Sequence, residues 1–242
     1  MAASSENASK KQKPRAALER PVAAASRTLQ ILDAFIGRQH VLSLGEIAEA
    51  TGLFKSVILR YMISLEKRNY VRKLDDGRYQ LGTKAIQLAH AFEQSLDQRQ
   101  VIQAALRRLV AATGESAFFY VQDNGHRLCL LGQDSPQSLR VTLRVGASSP
   151  LDKTSISQVL MEYQQPQGET FQYDPDMVRS TIGVFDPLTA SISAPVFDRS
   201  GSLFGALSVS GPVPRFDVTR PDHRSVILAE ARDLSRDLGF SA

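Results

Sequence analysis

Cysteine is almost missing. Cys129 is the only one in 242 residues, which excludes an internal disulfide and any cysteine-based zinc cluster. The four histidines, His40, His90, His126 and His223, are scattered without metal-ligand spacing, so neither a metal nor a cofactor is expected. No stretch approaches the about 18 consecutive apolar residues that span a membrane. The amino terminus lacks a charged-then-apolar signal pattern, and the expected location is the cytoplasm. A Gly-x-Ser-x-Gly elbow, a phosphate-cradling glycine loop and a zinc motif are absent too, so the chain reads as a non-enzyme. A serine-dependent enzyme is the reading this leaves aside, because the serine-rich strands near the carboxy terminus have no histidine base close in sequence. Cys129 falls mid-strand on an inward alternation and reads as a core residue.

What is present is a lopsided charge. Residues 1–82 hold 14 Lys and Arg against 8 Asp and Glu, a surplus of six cations; the whole chain carries +4, so residues 83–242 are net −2. A basic front on a mildly acidic remainder suits one module that faces phosphate and one that does not. Residues 1–22, Ala/Ser/Lys-rich and aperiodic, read as a disordered tail. Its Lys10, Lys11, Lys13, Arg15 and Arg20 either attract DNA non-specifically or only keep the tail solvated.

The stretch Ser43 to Val71 reads as two short helices joined by a tight turn at Gly52. Ser43 and Glu46 form a capping box, and Leu44, Ile47 and Ala48 supply an apolar face. In the second helix Ile58, Met62 and Leu65 make the buried stripe. Lys55, Ser56, Val57, Leu59 and Arg60 then lie on the opposite face near its start, where a recognition helix meets base edges and phosphates. An ordinary helical hairpin with a solvated basic face is the alternative. Two short strands around Asp76-Gly77, carrying Arg72, Lys73 and Arg78, look like a wing reaching the backbone beside that helix. A helix over Ser26 to Gly37, capped by Ser26 with Leu29, Leu32, Phe35 and Ile36 inside, precedes the pair and brings Arg27 toward phosphate. Helix, helix, helix and wing make a winged helix-turn-helix over residues 23–82. Arg60 is the candidate for base readout and the other cations for positioning.

A linking helix over residues 83–99 carries Ala85, Leu88, Ala89, Phe92 and Leu96 at helical spacing. The partner of that stripe is either the same helix of a second subunit, favoured because operators are two-fold, or a surface within the chain. Residues 100–242 predict a helix over Val101 to Ala112 and a hairpin, Ser116 to Gln122 and Arg127 to Gln133, around Asp123-Asn124-Gly125. A half-buried strand over Leu139 to Val145 follows, then a loop over 146–151 and a helix over Thr154 to Tyr163. A helix from Asp174 to about Ile182, strands Ala190 to Phe197 and Leu203 to Ser210, and a last helix over Arg220 to Leu238 complete the pattern. The fold class is α+β: an antiparallel sheet flanked by helices, behind the winged helix-turn-helix and linker helix.

The order of motifs resembles the IclR family of bacterial transcriptional regulators over roughly residues 22–238. Ser26-Arg27-Thr28-Leu29 with Ile31-Leu32 matches its opening helix. Leu53-Phe54-Lys55-Ser56-Val57 through Arg60 is similar to its recognition helix, with Phe54 where proline and Val57 where threonine are usual. Pro150-Leu151 with Thr154-Ser155 is the third match. The run Ser193 to Asp198, then Gly201 and Ala206 to Pro212, is the fourth. The resemblance implies a GAF-like effector-binding domain and a homodimer, often paired into a tetramer. It also implies binding of a double-stranded DNA operator under the control of a small organic metabolite, such as a carboxylate or lactone. By family position it marks Gly146, Ser155, Ile156, Ser191, Ser193, Ser208 and Ser210 as effector contacts. The family's habits favour a repressor of a catabolic or metabolite-response operon, with an activator of the same type as the alternative. The segment from Met161 to Ser191 is shorter than the family pattern, and Asp186 is what remains of its usual acidic run.

Overall fold

A computed structural model describes residues 21–36, 40–95, 98–168 and 171–241. The chain divides after Ser95 into two compact units. Residues 1–20 of the expected tail, the Gly37 end of the first helix and Leu96 of the linker stripe lie outside the described residues.

The first unit contains α1 (Ala23–Asp33), β1 (Val41–Leu42), α2 (Leu44–Thr51), α3 (Lys55–Lys67), β2 (Val71–Lys73), β3 (Tyr79–Leu81) and α4 (Lys84–Ser95). The capping box forms as expected: Ser43 Oγ accepts the Glu46 amide at 3.2 Å, and Glu46 Oε2 accepts the Ser43 amide at 2.7 Å. These bonds hold the Glu46 carboxyl below its usual range. Gly52 caps α2 in the left-handed conformation. Ile58, Met62 and Leu65, at i, i+4 and i+7, seal α3 against a core of Ile31, Phe35, Leu42, Ile47, Val71 and Tyr79. Gly82 closes the wing because a Cβ there would sit 2.2 Å from the Asn69 carbonyl oxygen; its amide donates to the Tyr70 carbonyl.

Three details differ from expectation. The first helix begins at Ala23, not Ser26. The run Ala23-Ala24-Ala25 has high helix propensity, and the Ser26 amide donates to the Val22 carbonyl inside the helix. Its inner face is Ile31 and Phe35, while Leu29 and Ile36 are exposed. β1 also adds a third strand, in the order β1-β3-β2.

The second unit contains α5 (Arg99–Thr113), β4 (Ser116–Asp123), β5 (His126–Gln133), β6 (Ser148–Pro150), α6 (Ser155–Glu162), β7 (Arg179–Ile182), β8 (Thr189–Phe197), β9 (Leu203–Pro212) and α7 (Pro221–Asp237). The sheet order is β6-β5-β4-β9-β8-β7, antiparallel throughout. Alternation sorts its side chains into two layers. Ala117, Phe119, Ile192, Ala194, Leu207 and Val209 pack with α5 and α7. Phe118, Tyr120, Cys129 and Ala206 pack with Ile156, Val159 and Leu160 of α6. Asn124 and Gly125, both at positive φ, make the first hairpin turn.

The strand expected over Leu139 to Val145 does not form. Val141 and Leu143 do pack inward against the α6 layer, but the segment makes no ladder, and β6 forms instead at Ser148–Pro150, which reads as a loop in the sequence. The helix expected from Asp174 stops after one 3₁₀ turn, Pro175–Met177. Arg179–Ile182 then pairs with β8 as the edge strand, since Thr181 and Ile182 are β-branched and suit a pleated edge. Among the described residues no helix is long and apolar enough to cross a membrane.

Candidate DNA interface and effector cavity

Lys55, Ser56, Leu59 and Arg60 are exposed along one side of α3, opposite its buried stripe. Arg27, Val57 and Arg60 share a groove with Tyr61 and Ser64, so α1 brings a second guanidinium beside the recognition helix. Arg72 is exposed on β2. Arg78 has a different setting. Its Nη2 lies 2.7 Å from Asp76 Oδ2, and its backbone amide donates to the same carboxylate. It therefore braces the wing's turn and offers phosphate less net charge than Arg72. Lys73 lies over the Tyr79 ring at 5.9 Å, a contact that keeps the strand's cation on the wing. On α4, Ile86, Leu88 and Phe92 are each more than half exposed.

In the second unit a cavity of about 140 Å³ opens between the sheet, α6 and the segment 141–149. Four sequence-predicted residues line it: Ile156, Ser191, Ser208 and Ser210. Ser155 and Ser193 do not; they lie beneath, fully buried, and tie the wall together. Ser155 Oγ bonds Ser191 Oγ at 2.8 Å and Ser193 Oγ at 2.9 Å, and Ser193 Oγ donates to Ser208 Oγ at 3.1 Å. Gly146 is a turn residue at φ +85°, which a side chain would strain; its neighbour Ala147 lines the cavity instead.

The start of α6, expected to offer free amides, is already engaged. Asp152 Oδ1 accepts the Thr154 amide and hydroxyl and the Ser157 hydroxyl, and Ser155 donates its amide to Thr181 Oγ1. The charge inside the cavity comes from a residue the sequence reading passed over. Arg127 is only 6% exposed, and its Nη1 lies 2.5 Å from Asp152 Oδ1 and bonds Thr154 and Ser157. A signal for it existed: Cys129 reads as inward, and Arg127, two residues earlier on the same strand, shares its face. Tyr120, Leu143 and Phe185 complete the apolar wall. Burial pushes the Cys129 thiol up to about 12 and the Tyr120 hydroxyl well above its usual range. Both stay protonated and neutral, which agrees with Cys129 as a core residue.

Burial alone would raise the Asp152 carboxyl, but the Arg127, Thr154 and Ser157 donors outweigh it and hold the group well below the ordinary carboxylate range. A depressed folded-state pKa contributes stability that is complete above the unfolded value of about 3.9 and fades as pH falls below it. Asp152→Asn is therefore expected to destabilise the second unit at pH 7. Urea titrations should show the gap between wild type and variant narrowing from pH 4 to pH 2; a constant gap would remove the ion pair from the account.

The model of the IclR helix-turn-helix domain matches residues 24–75, the α1-to-wing segment just described. The glycerol operon regulatory protein of Streptomyces coelicolor is 26% identical over 253 residues, spanning 92% of this chain and 98% of the relative. Residues 24–75 are an IclR-type helix-turn-helix domain, and the chain is a DNA-binding transcriptional regulator. The DNA-binding transcriptional repressor YiaJ of Escherichia coli is 25% identical to this chain over 256 residues, spanning 92% of it and 91% of the repressor. An IclR homolog from Microbacterium hydrocarbonoxydans, solved in complex with 4-hydroxybenzoate, shares the fold at a TM-score of 0.75 and 16% identity. The match covers 89% of this chain and 99% of that one. Relatives and fold neighbours alike are regulators, and this chain is a DNA-binding regulator rather than an enzyme.

Proposed function

We propose that this regulator is a cytoplasmic, ligand-responsive repressor of a catabolic or metabolite-response operon, released or retuned from its operator by a small organic effector. The observation that carries the reading is the cavity, walled by hydroxyls and apolar side chains, in a chain whose other unit is a helix-turn-helix domain. Residues 23–82 grip DNA, 83–99 link, and 100–242 sense the effector. Arg27, Lys55, Ser56, Val57, Leu59, Arg60 and Arg72 meet the duplex, with Arg78 bracing the wing. The working form is a homodimer, whose second copy covers the exposed Ile86 and Leu88 of α4, with pairing of dimers into a tetramer as a further step. Repression is supported by the likeness to YiaJ, and small-molecule control by the neighbour solved with 4-hydroxybenzoate.

Arg60→Ala is expected to weaken binding to the cognate operator by about 1–3 kcal/mol and binding to random duplex by less. Fluorescence anisotropy with both DNAs measures this, and equal losses would reduce Arg60 to a phosphate contact. The functional reading itself is tested by transcription from the protein's own promoter in vitro. Added protein should silence it, and stimulation would make the chain an activator.

A further inference from the structure

We propose that the Nε–Nη2 edge of Arg127 anchors the carboxylate of a small monocarboxylic acid lodged in the cavity. The inference rests on reading that cavity as the effector site.

Every hydrogen bond of the Arg127 side chain is made by Nη1, to Pro150, Thr154 and Ser157, and the same nitrogen pairs with Asp152. Among the described residues no buried side-chain nitrogen or oxygen lacks a partner. Nε and Nη2, which have none, therefore meet open space, and the open space beside Arg127 is the cavity it lines. These two N–H groups form the side-on edge of the guanidinium. They are parallel and spaced to meet both oxygens of a carboxylate. Asp152 occupies the outer nitrogen and so fixes the plane of the group with this edge turned inward. Asp152 is a positioning residue; Arg127 makes the contact.

The other walls set the rest of the ligand. Among the described residues lining the cavity, Arg127 alone is charged, since Tyr120 and Cys129 stay neutral. No carboxylate competes inside it. Phe185 stands at the mouth with its ring 5.9 Å from the guanidinium carbon, and Ile156, Val141 and Leu143 face it as apolar surface. A flat or short apolar body fits there, with the hydroxyl of Ser210, which takes no part in the bonds that tie the wall together, left for a polar substituent. At roughly 10–15 Å³ per water-sized occupant, 140 Å³ admits a body on the order of ten non-hydrogen atoms. A lactone or an amide of the same shape lacks the paired anionic oxygens and leaves the edge half-satisfied, which is how a polar site rejects an isostere.

The test is calorimetric titration of the full-length chain with benzoate and butyrate, and with their neutral counterparts benzamide and γ-butyrolactone. At least one acid should bind, more tightly than its neutral counterpart by a factor on the order of 10–100. Arg127→Gln should erase the preference and Arg127→Lys keep part of it. Asp152→Asn breaks the same ion pair but leaves the guanidinium, so it should weaken acid binding while keeping part of the acid preference that Arg127→Gln loses, which separates anchoring from mere support of the fold. Ala147→Phe, at the exposed rim, should block both kinds of probe. Equal binding of acid and neutral probe, blocked by Ala147→Phe, would remove the anchor and leave the effector site standing. Acid preference unchanged in Arg127→Gln would do the same. Failure of both acids to bind, or binding indifferent to Ala147→Phe, would overturn the anchor and the site together.

Discussion

Ile58→Ala is expected to abolish operator binding by unfolding the first unit, although Ile58 itself touches no DNA in this account. Ile58 is fully buried in a core of nine residues. Truncating a buried isoleucine costs about 2–5 kcal/mol, the sum of lost transfer energy and the cavity left behind. A core of this size supplies only about 3–5 kcal/mol of net stability, so one substitution consumes most of it. The second unit has separate cores, which share no residue with the first, and should melt unchanged. Denaturation followed by circular dichroism, paired with acid binding by the cavity, measures both halves: the early transition should be lost and ligand binding kept. A stability change under about 1 kcal/mol would mean the winged core is not built around α3.

Arg215→Ala carries the other large effect, this time on the second unit. Glu115, the residue before β4, is 2% exposed. Its carboxylate is gripped by Arg215 through Nε at 2.5 Å and Nη2 at 2.8 Å, and Nη2 also donates to the Leu139 carbonyl. Gly211 backs onto the pair, where any Cβ would fall 2.7 Å from the carboxylate, so the anion has no room to turn toward water. Removing the guanidinium leaves the buried carboxylate without its charged partner and is expected to lower the midpoint of the second unit's unfolding transition. Removing both charges in Glu115→Leu/Arg215→Met should recover most of the loss, because a well-packed apolar pair of similar volume is close to neutral. Chemical denaturation of the two variants decides it. An Arg215→Ala variant as stable as wild type would show that Glu115 reaches solvent without its partner.

The elements that were legible in the sequence are those fixed by local chemistry. The Ser43–Glu46 box, the i, i+4, i+7 stripe of α3 and the Asn124-Gly125 and Asp76-Gly77 turns each need only a few neighbouring residues, and each forms as read. The failures have one cause in common: a local signal obeyed but not extended. Val141 and Leu143 alternate because they line a cavity, and an extended segment satisfies that pattern without ladder bonds. Asp174 and Pro175 do start a helical turn, and pairing with β8 then takes over at Arg179. Of the residues that line the cavity, Ser191, Ser208, Ser210 and Ile156 were named by family position. Arg127 was not, because burying a charge depends on a partner 25 residues away, and a strand reading sends an arginine to solvent by default. The α6 start misled for the same reason, since Asp152 had already met its donors.

The most direct measurement is the affinity of the purified protein for a fragment of its own promoter, and for a scrambled fragment of equal length, across a salt series. Three cations per subunit, Arg27, Lys55 and Arg72, give about six phosphate-facing charges in a dimer and a log–log salt slope of roughly −5. The promoter should bind more tightly than the scrambled duplex by a factor of about 10³ or more. Equal affinity for both, or affinity indifferent to salt, would contradict a basic helix and wing that grip and read DNA.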